Sequence, residues 1–203
     1  RGLEGIRFQA HHGPKTVDVR VPMPGRHSVY TALCASAVGL SEGLSWSEII
    51  AGLQDPSAQV RLMTLAGPKG SIVLDDTYNA NPASVEVAVS TARAIADKRE
   101  APLVLILGDM KELGPQSEEA HRQVGAIAAD LGAFLFVGCG DAMQAAVEAA
   151  NRGGVDTLWF ESSAECESGI ADRLPLHCVV LVKGSRSMAM ERVVQSLLEE
   201  SAS

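Results

Sequence analysis

A doubly wound α/β fold with a mostly parallel sheet is what residues 57–203 predict, on three observations. Short apolar runs alternate with amphipathic stretches of helical period along the segment. Several of the runs, LVLIL at 103–107 and CVVLV at 178–182 among them, lack polar alternation, the mark of strands covered on both faces. Polar turns follow three of the strands, where Rossmann-like open sheets place their ligands. Residues 1–56 read as a separate piece with two strands and two helices.

Taken in order, residues 6–10 (IRFQA) and 16–23 (TVDVRVPM) alternate apolar and polar with His-Gly-Pro between them, which predicts two half-buried strands joined by a turn. A helix over 27–40 is rich in small residues that permit close packing. A second follows over 46–53, with Ser45 as its cap. Asp55-Pro56-Ser57 breaks the pattern, because the residue before a proline is pushed out of the helical region, and a domain boundary is expected near 54–60. Beyond it the text predicts strands over 61–65 and 71–74, a helix over 83–97, a strand over 103–107, a helix over 117–131 and a strand over 134–137. A helix over 142–151, a short strand near Leu158, a helix over 164–174, a strand over 178–182 and a helix over 188–200 complete the series. Residues 201–203 should fray.

Composition excludes several classes. With 25 acidic against 17 basic residues the net charge is -8, so there is no basic footprint for a phosphate backbone and no nucleic-acid partner is expected. No apolar run approaches the ~20 residues of a membrane span. The 46% hydrophobic content with only 4% aromatics fits an α/β enzyme better than an aromatic-rich sandwich. Cys34, Cys139, Cys166 and Cys178 are widely spaced in apolar or Ala-rich text, as suits reduced thiols of a cytoplasmic protein. His11, His12 and His177 are too isolated for a metal site, and no metal ligand set is expected in this chain. The chain opens at Arg1 directly into strand-like text and is expected to be a piece of a longer protein.

The three polar strand ends are Asp75-Asp76-Thr77-Tyr78-Asn79-Ala80-Asn81-Pro82, Gly108-Asp109-Met110-Lys111-Glu112-Leu113-Gly114 and Lys183-Gly184-Ser185-Arg186-Ser187. Each leads toward a helix, whose first N–H groups and dipole suit an anionic or phosphorylated ligand. Asn81, Ser84, Ser185 and Ser187 can equally be plain helix caps, and Gly114-Pro115 an ordinary turn. Adjacent Asp75 and Asp76 point to opposite faces, so one can meet the crevice while the other braces the turn. Lys183 and Arg186 bring positive charge to the same rim. A phosphate loop of the GxxxxGK[ST] type is absent from the sequence. Gly138-Cys139-Gly140-Asp141 lacks the third glycine of a dinucleotide fingerprint and reads as a tight turn.

Four runs together, DDTYNANPAS (75–84), LGDMKELG (107–114), SEEAHRQVG with His121, and VKGSRSMAMERVV (182–194), resemble the C-terminal domain of the Mur ligases, in particular the group that adds a dipeptide. PGRHSVYTALCASAVGL is similar to a helix near the end of that family's central ATPase domain. The resemblance implies that residues 1–56 are the end of an α/β ATP-binding central domain and 57–203 the whole Rossmann-like C-terminal domain. It implies ATP-dependent amide formation in peptidoglycan precursor synthesis. ATP phosphorylates the terminal carboxylate of UDP-MurNAc-tripeptide, the amine of D-Ala-D-Ala attacks the acyl phosphate, and phosphate leaves. Mg²⁺ would assist, its ligands lying outside this chain, and the enzyme would be a cytoplasmic monomer.

Residue by residue, the resemblance places His27 near the nucleotide and Arg61 toward the ATP phosphates when domains close. It puts Asp76 near the ribose, with Tyr78, Asn79 and Asn81 in the signature turn beside it. Lys183, Ser185 and Arg186 would face the incoming dipeptide. Ser28 and Thr31 stand where related enzymes carry asparagines that approach adenine, and Lys111 holds a variable position of its motif. No catalytic residue is carried over, and the chain alone is expected to fold but not to catalyse. A sister Mur or folylpolyglutamate-type ligase shares the chemistry, whereas a Rossmann-like module that binds nucleotide without catalysis is the alternative from another class.

Overall fold

The structure, a computed structural model, describes residues 5–23, 25–26, 28–55 and 62–201. His27, Arg61 and the Pro56-Ser57 break expected between domains lie outside the described residues. The chain divides into two compact units, one ending at Leu62 and the other beginning at Met63.

In the smaller unit β1 (Ile6–His12) and β2 (Lys15–Val21) form an antiparallel hairpin in which Ile6 faces Val21 and His12 faces Lys15. Alternation puts Ile6, Ala10, Val19 and Val21 on one side, where they meet Ala32 of α1 (Ser28–Ser41), with Trp46 and Leu53 of α2 (Trp46–Gln54) packed against the cluster. Ser45 caps α2 as expected, its hydroxyl accepting from the Glu48 N–H while the Glu48 carboxylate accepts from the Ser45 N–H.

Among the described residues the larger unit carries a six-stranded sheet in the order β3-β4-β8-β5-β6-β7. Its strands are β3 (Met63–Ala66), β4 (Ile72–Asp76), β5 (Leu103–Gly108), β6 (Leu135–Cys139), β7 (Asp156–Phe160) and β8 (Val179–Lys183). β3 runs antiparallel to β4, with Met63 opposite Asp75, and the remaining neighbours pair parallel. From β4 the chain crosses by α3 (Pro82–Lys98) to β5. It steps outward through α4 (Ser117–Asp130), β6, α5 (Met143–Arg152) and β7, then returns so that β8 fills the place between β4 and β5.

Period-2 alternation divides the strands between two cores. Val73, Val104, Ile106, Val137, Val180 and Val182 pack with Val193, Val194 and Leu197 of α8 (Glu191–Ser201) and with Cys166 and Ile170 of α6 (Ser163–Glu167) and α7 (Ile170–Arg173). On the opposite face Leu74, Leu105, Phe136 and Leu181 are fully buried, where α3 meets β5 and β8 and α5 meets β6. Each such side chain contributes about 1.5–3 kcal/mol on leaving water. On this face Gly125 of α4 lies so close to α5 that a Cβ would stand 2.0 Å from the Ala146 carbonyl oxygen.

Two expected helices differ. The stretch read as one helix over 164–174 is two, because the chain leaves helical geometry at Gly169 (φ -152, ψ 2). The last helix starts later than expected: Arg186–Met188 forms a 3-10 turn, Ala189 takes a left-handed conformation (φ 49), and α8 begins at Glu191.

Cys34 is exposed and the other three cysteines are buried. Burial pushes the Cys178 thiol up to about 11, and a hydrogen bond with Cys166, aided by burial, raises the Cys139 thiol as well. Because the folded Cys178 holds its proton longer than the unfolded chain does, its stabilising contribution is complete below about pH 9 and is lost as pH rises through about 11. At pH 8 a thiol reagent is expected to modify Cys34 alone until the chain unfolds, as read by intact-mass spectrometry. Rapid native labelling of Cys139 or Cys178 would contradict this packing.

Candidate functional site

The carboxyl ends of β4, β8 and β5 are adjacent in the sheet, at the point where the crossover leaves room for β8, so the three polar strand ends are brought together. At the end of β4 the two aspartates separate as alternation requires. Asp75 braces the turn, its Oδ1 accepting from the Thr77 N–H (3.1 Å) and hydroxyl (2.7 Å). Asp76 faces the other way and is in register with Lys183 of β8. The Lys183 Nζ donates to Asp76 Oδ2 at 2.6 Å and to the Asn79 carbonyl at 2.6 Å. The side chains of this ion pair are 2% and 9% exposed, so it is a buried pair rather than a solvated one.

Tyr78, Asn79 and Asn81 follow on the surface, with Tyr78 half exposed. Asn79 Oδ1 accepts from the Ala80 N–H (2.8 Å). The Asn81 side chain is engaged as the cap of α3: it accepts from the Ser84 N–H at 2.8 Å, and the Ser84 hydroxyl accepts from the Asn81 N–H at 3.0 Å. The plain capping alternative is therefore realised at Asn81 and Ser84. It is not realised at Ser185, whose hydroxyl makes no cap bond and instead accepts from the Lys111 N–H (2.9 Å) and donates to the Ala80 carbonyl (3.4 Å). Arg186 lies exposed beyond it, 3.3 Å from a Glu191 carboxylate oxygen. Lys183 thus ties Asp76 to the Asn79 carbonyl, and Ser185 reaches the same turn through the Ala80 carbonyl.

Of the three turns, the one after β4 enters its helix directly, whereas 3-10 turns at Gly114–Gln116 and Arg186–Met188 stand ahead of α4 and α8. Their helix N-termini are displaced from the strand ends by that extra turn.

Asp109 and His121 carry structural weight that strand-end polarity alone did not assign. Asp109 is 1% exposed; its Oδ1 accepts from the Met143 N–H at the start of α5 (3.0 Å) and its Oδ2 from Lys111 Nζ (2.8 Å). A carboxylate there satisfies an open helix N–H and favours the positive end of the dipole. Gly140 (φ 108) closes over it, where any Cβ would sit 2.6 Å from the carboxyl atoms, so the glycine-containing turn is packing around Asp109. The Trp159 indole N–H fixes the same turn through the Gly140 carbonyl (2.9 Å). The available signal was an aspartate directly after an all-apolar strand and a glycine turn after the next one.

Chemically, the rim offers two cations within reach of solvent, Lys111 and Arg186, an exposed aromatic ring at Tyr78 and the amide of Asn79. Among the described residues no group of three or more His, Cys, Asp or Glu could hold a metal ion. No described helix is long and apolar enough to cross a membrane.

The family model described as Mur ligase, glutamate ligase domain, matches residues 60–186. The chain is 36% identical over 202 residues to the UDP-N-acetylmuramoyl-tripeptide–D-alanyl-D-alanine ligase of Escherichia coli K12, covering 96% of this chain and 42% of that protein. A crystal structure of MurF from Acinetobacter baumannii superposes with a TM-score of 0.83 at 30% identity, covering 98% of this chain and 43% of the other. MurF of Thermotoga maritima in complex with ADP shares the fold, with a TM-score of 0.65 at 19% identity over 98% of this chain and 47% of that one. The chain thus spans less than half the length of each of these proteins.

Proposed function

Because this chain belongs to the Mur ligase family through its glutamate ligase domain, we propose that it is the C-terminal part of an ATP-dependent ligase that joins D-Ala-D-Ala to UDP-MurNAc-tripeptide in the cytoplasm. The observation that carries this reading is the 36% identity to the Escherichia coli enzyme along 96% of the chain. ATP would supply the phosphoryl group that activates the tripeptide carboxylate; the dipeptide amine then displaces phosphate and an amide forms.

The part this chain plays is binding and shielding. Tyr78 and Asn79 would meet a nucleotide, with Asp76 near its ribose; the exposure of Tyr78 and Asn79 and the Lys183 bonds to Asp76 and the Asn79 carbonyl support this reading. Asn81 shapes their turn by capping α3. His27 and Arg61 carry the family's nucleotide-facing roles. Arg186, directly after the Ser185 that is bonded to Lys111 and Ala80, is an exposed rim cation suited to the carboxylate of the dipeptide, with Lys183 and Ser185 behind it. Residues 1–56 are assigned to the central domain and 57–203 to the closing domain. Among the described residues no group of three or more His, Cys, Asp or Glu suits Mg²⁺; by the family resemblance its ligands would lie in the rest of the protein. Closure of this wall keeps water from an acyl phosphate.

The test is Arg186→Ala in the full-length protein. Losing one charge-assisted contact to the dipeptide is worth about 1.5–3 kcal/mol, so KM for D-Ala-D-Ala should rise about tenfold or more while KM for ATP holds. Unchanged KM for the dipeptide would remove Arg186 from this role.

A further inference from the structure

His121 is 0% exposed. Its Nε2 lies 3.0 Å from the Met110 amide. A backbone N–H can only donate, so Nε2 is the ring nitrogen without a proton, and Nδ1, 2.7 Å from the Ser117 carbonyl, carries it. Met110 is itself buried at 1% exposure, and its amide sits one residue before the Lys111 N–H that holds Ser185. The Ser185 N–H returns to the Asp109 carbonyl (3.1 Å), and its hydroxyl reaches Ala80. One hydrogen-bonded chain therefore runs from the interior of α4 through the turn after β5 to the turns after β8 and β4.

We infer that His121 is a positioning residue: its neutral ring, through the Met110 N–H, sets the turn at 109–113 so that the Lys111 amide holds Ser185 and the Lys111 ammonium stands at the rim. The inference rests on reading that rim as the reactant-facing wall. His121 touches no reactant and acts through Met110. A core histidine that merely filled space would need no particular tautomer, and its loss would loosen the whole unit evenly.

Long-range nitrogen-proton NMR of the 203-residue chain at neutral pH reads the tautomer without any variant. An Nδ1–H ring is expected, and an Nε2–H or doubly protonated ring overturns the inference. In His121→Leu, hydrogen exchange at the Met110 and Lys111 amides should quicken about tenfold while Leu105 and Leu181 stay within about twofold. Uniform acceleration, or none, overturns it. His121→Gln offers a side-chain carbonyl to the same amide and should restore most of the protection; exchange as fast as in the leucine variant counts against it. In the full-length protein His121→Leu should lower kcat about tenfold and His121→Gln should recover it. Local exchange changes without any kinetic effect would leave the hydrogen-bond chain standing and overturn the reading of the rim.

Discussion

Replacing Lys183 with methionine is expected to destabilise the larger unit by about 3–5 kcal/mol, the usual cost of removing one partner of a buried ion pair. The ammonium is buried and donates to both Asp76 and the Asn79 carbonyl. Methionine fills similar volume, so the loss reports on charge and hydrogen bonding rather than on a cavity. It strands the Asp76 carboxylate at the end of β4 with its counter-charge gone. A second change, Asp76→Leu, should recover most of the loss, because the pair replaced as a whole sheds the desolvation cost of both charges. Urea unfolding followed by circular dichroism measures each step. A loss below about 1 kcal/mol in the single variant would place the pair with solvated surface bridges.

Gly125→Ala pits two effects against each other. Alanine in a helix interior gains up to about 1 kcal/mol over glycine. The added methyl carbon would stand 2.0 Å from the Ala146 carbonyl oxygen and 2.8 Å from its carbon, which are backbone atoms of α5 and cannot rotate away. Separating α4 from α5 is the remaining relief, and α5 is also tied at its first turn to Asp109. Overpacking of this kind costs about 1–3 kcal/mol or more. A net loss of about 2 kcal/mol is expected, with Gly125→Val worse. A variant as stable as the parent would mean that the two helices are not in this contact.

Both sites show what was legible in the sequence. The βαβ rhythm, the continuous apolar strands and the opposed directions of Asp75 and Asp76 follow from period and turn chemistry, which are local. The insertion of β8 between β4 and β5 is not local, since any fully apolar strand satisfies the same pattern wherever it pairs. The partnership of Lys183 with Asp76 depends on that insertion, because it arises from strand register across 107 residues. Strand-end polarity singled out the turn containing Asp109, but its engagement with Met143 and the grip of His121 on Met110 are long-range satisfactions of buried polar groups. The antiparallel pairing of β3 is likewise set by its neighbour, whereas the break at Gly169 falls on a residue of low helix propensity, a local signal that the amphipathic reading of 164–174 passed over.

The central proposal, that this chain closes a ligase specific for a dipeptide, is tested most directly by mass spectrometry of the products formed by the full-length protein from ATP, UDP-MurNAc-tripeptide and D-Ala-D-Ala. The expected products are UDP-MurNAc-pentapeptide, ADP and phosphate, formed when all three reactants are present. Addition of a single amino acid in place of the dipeptide, or nucleotide binding with no amide product at all, would contradict it.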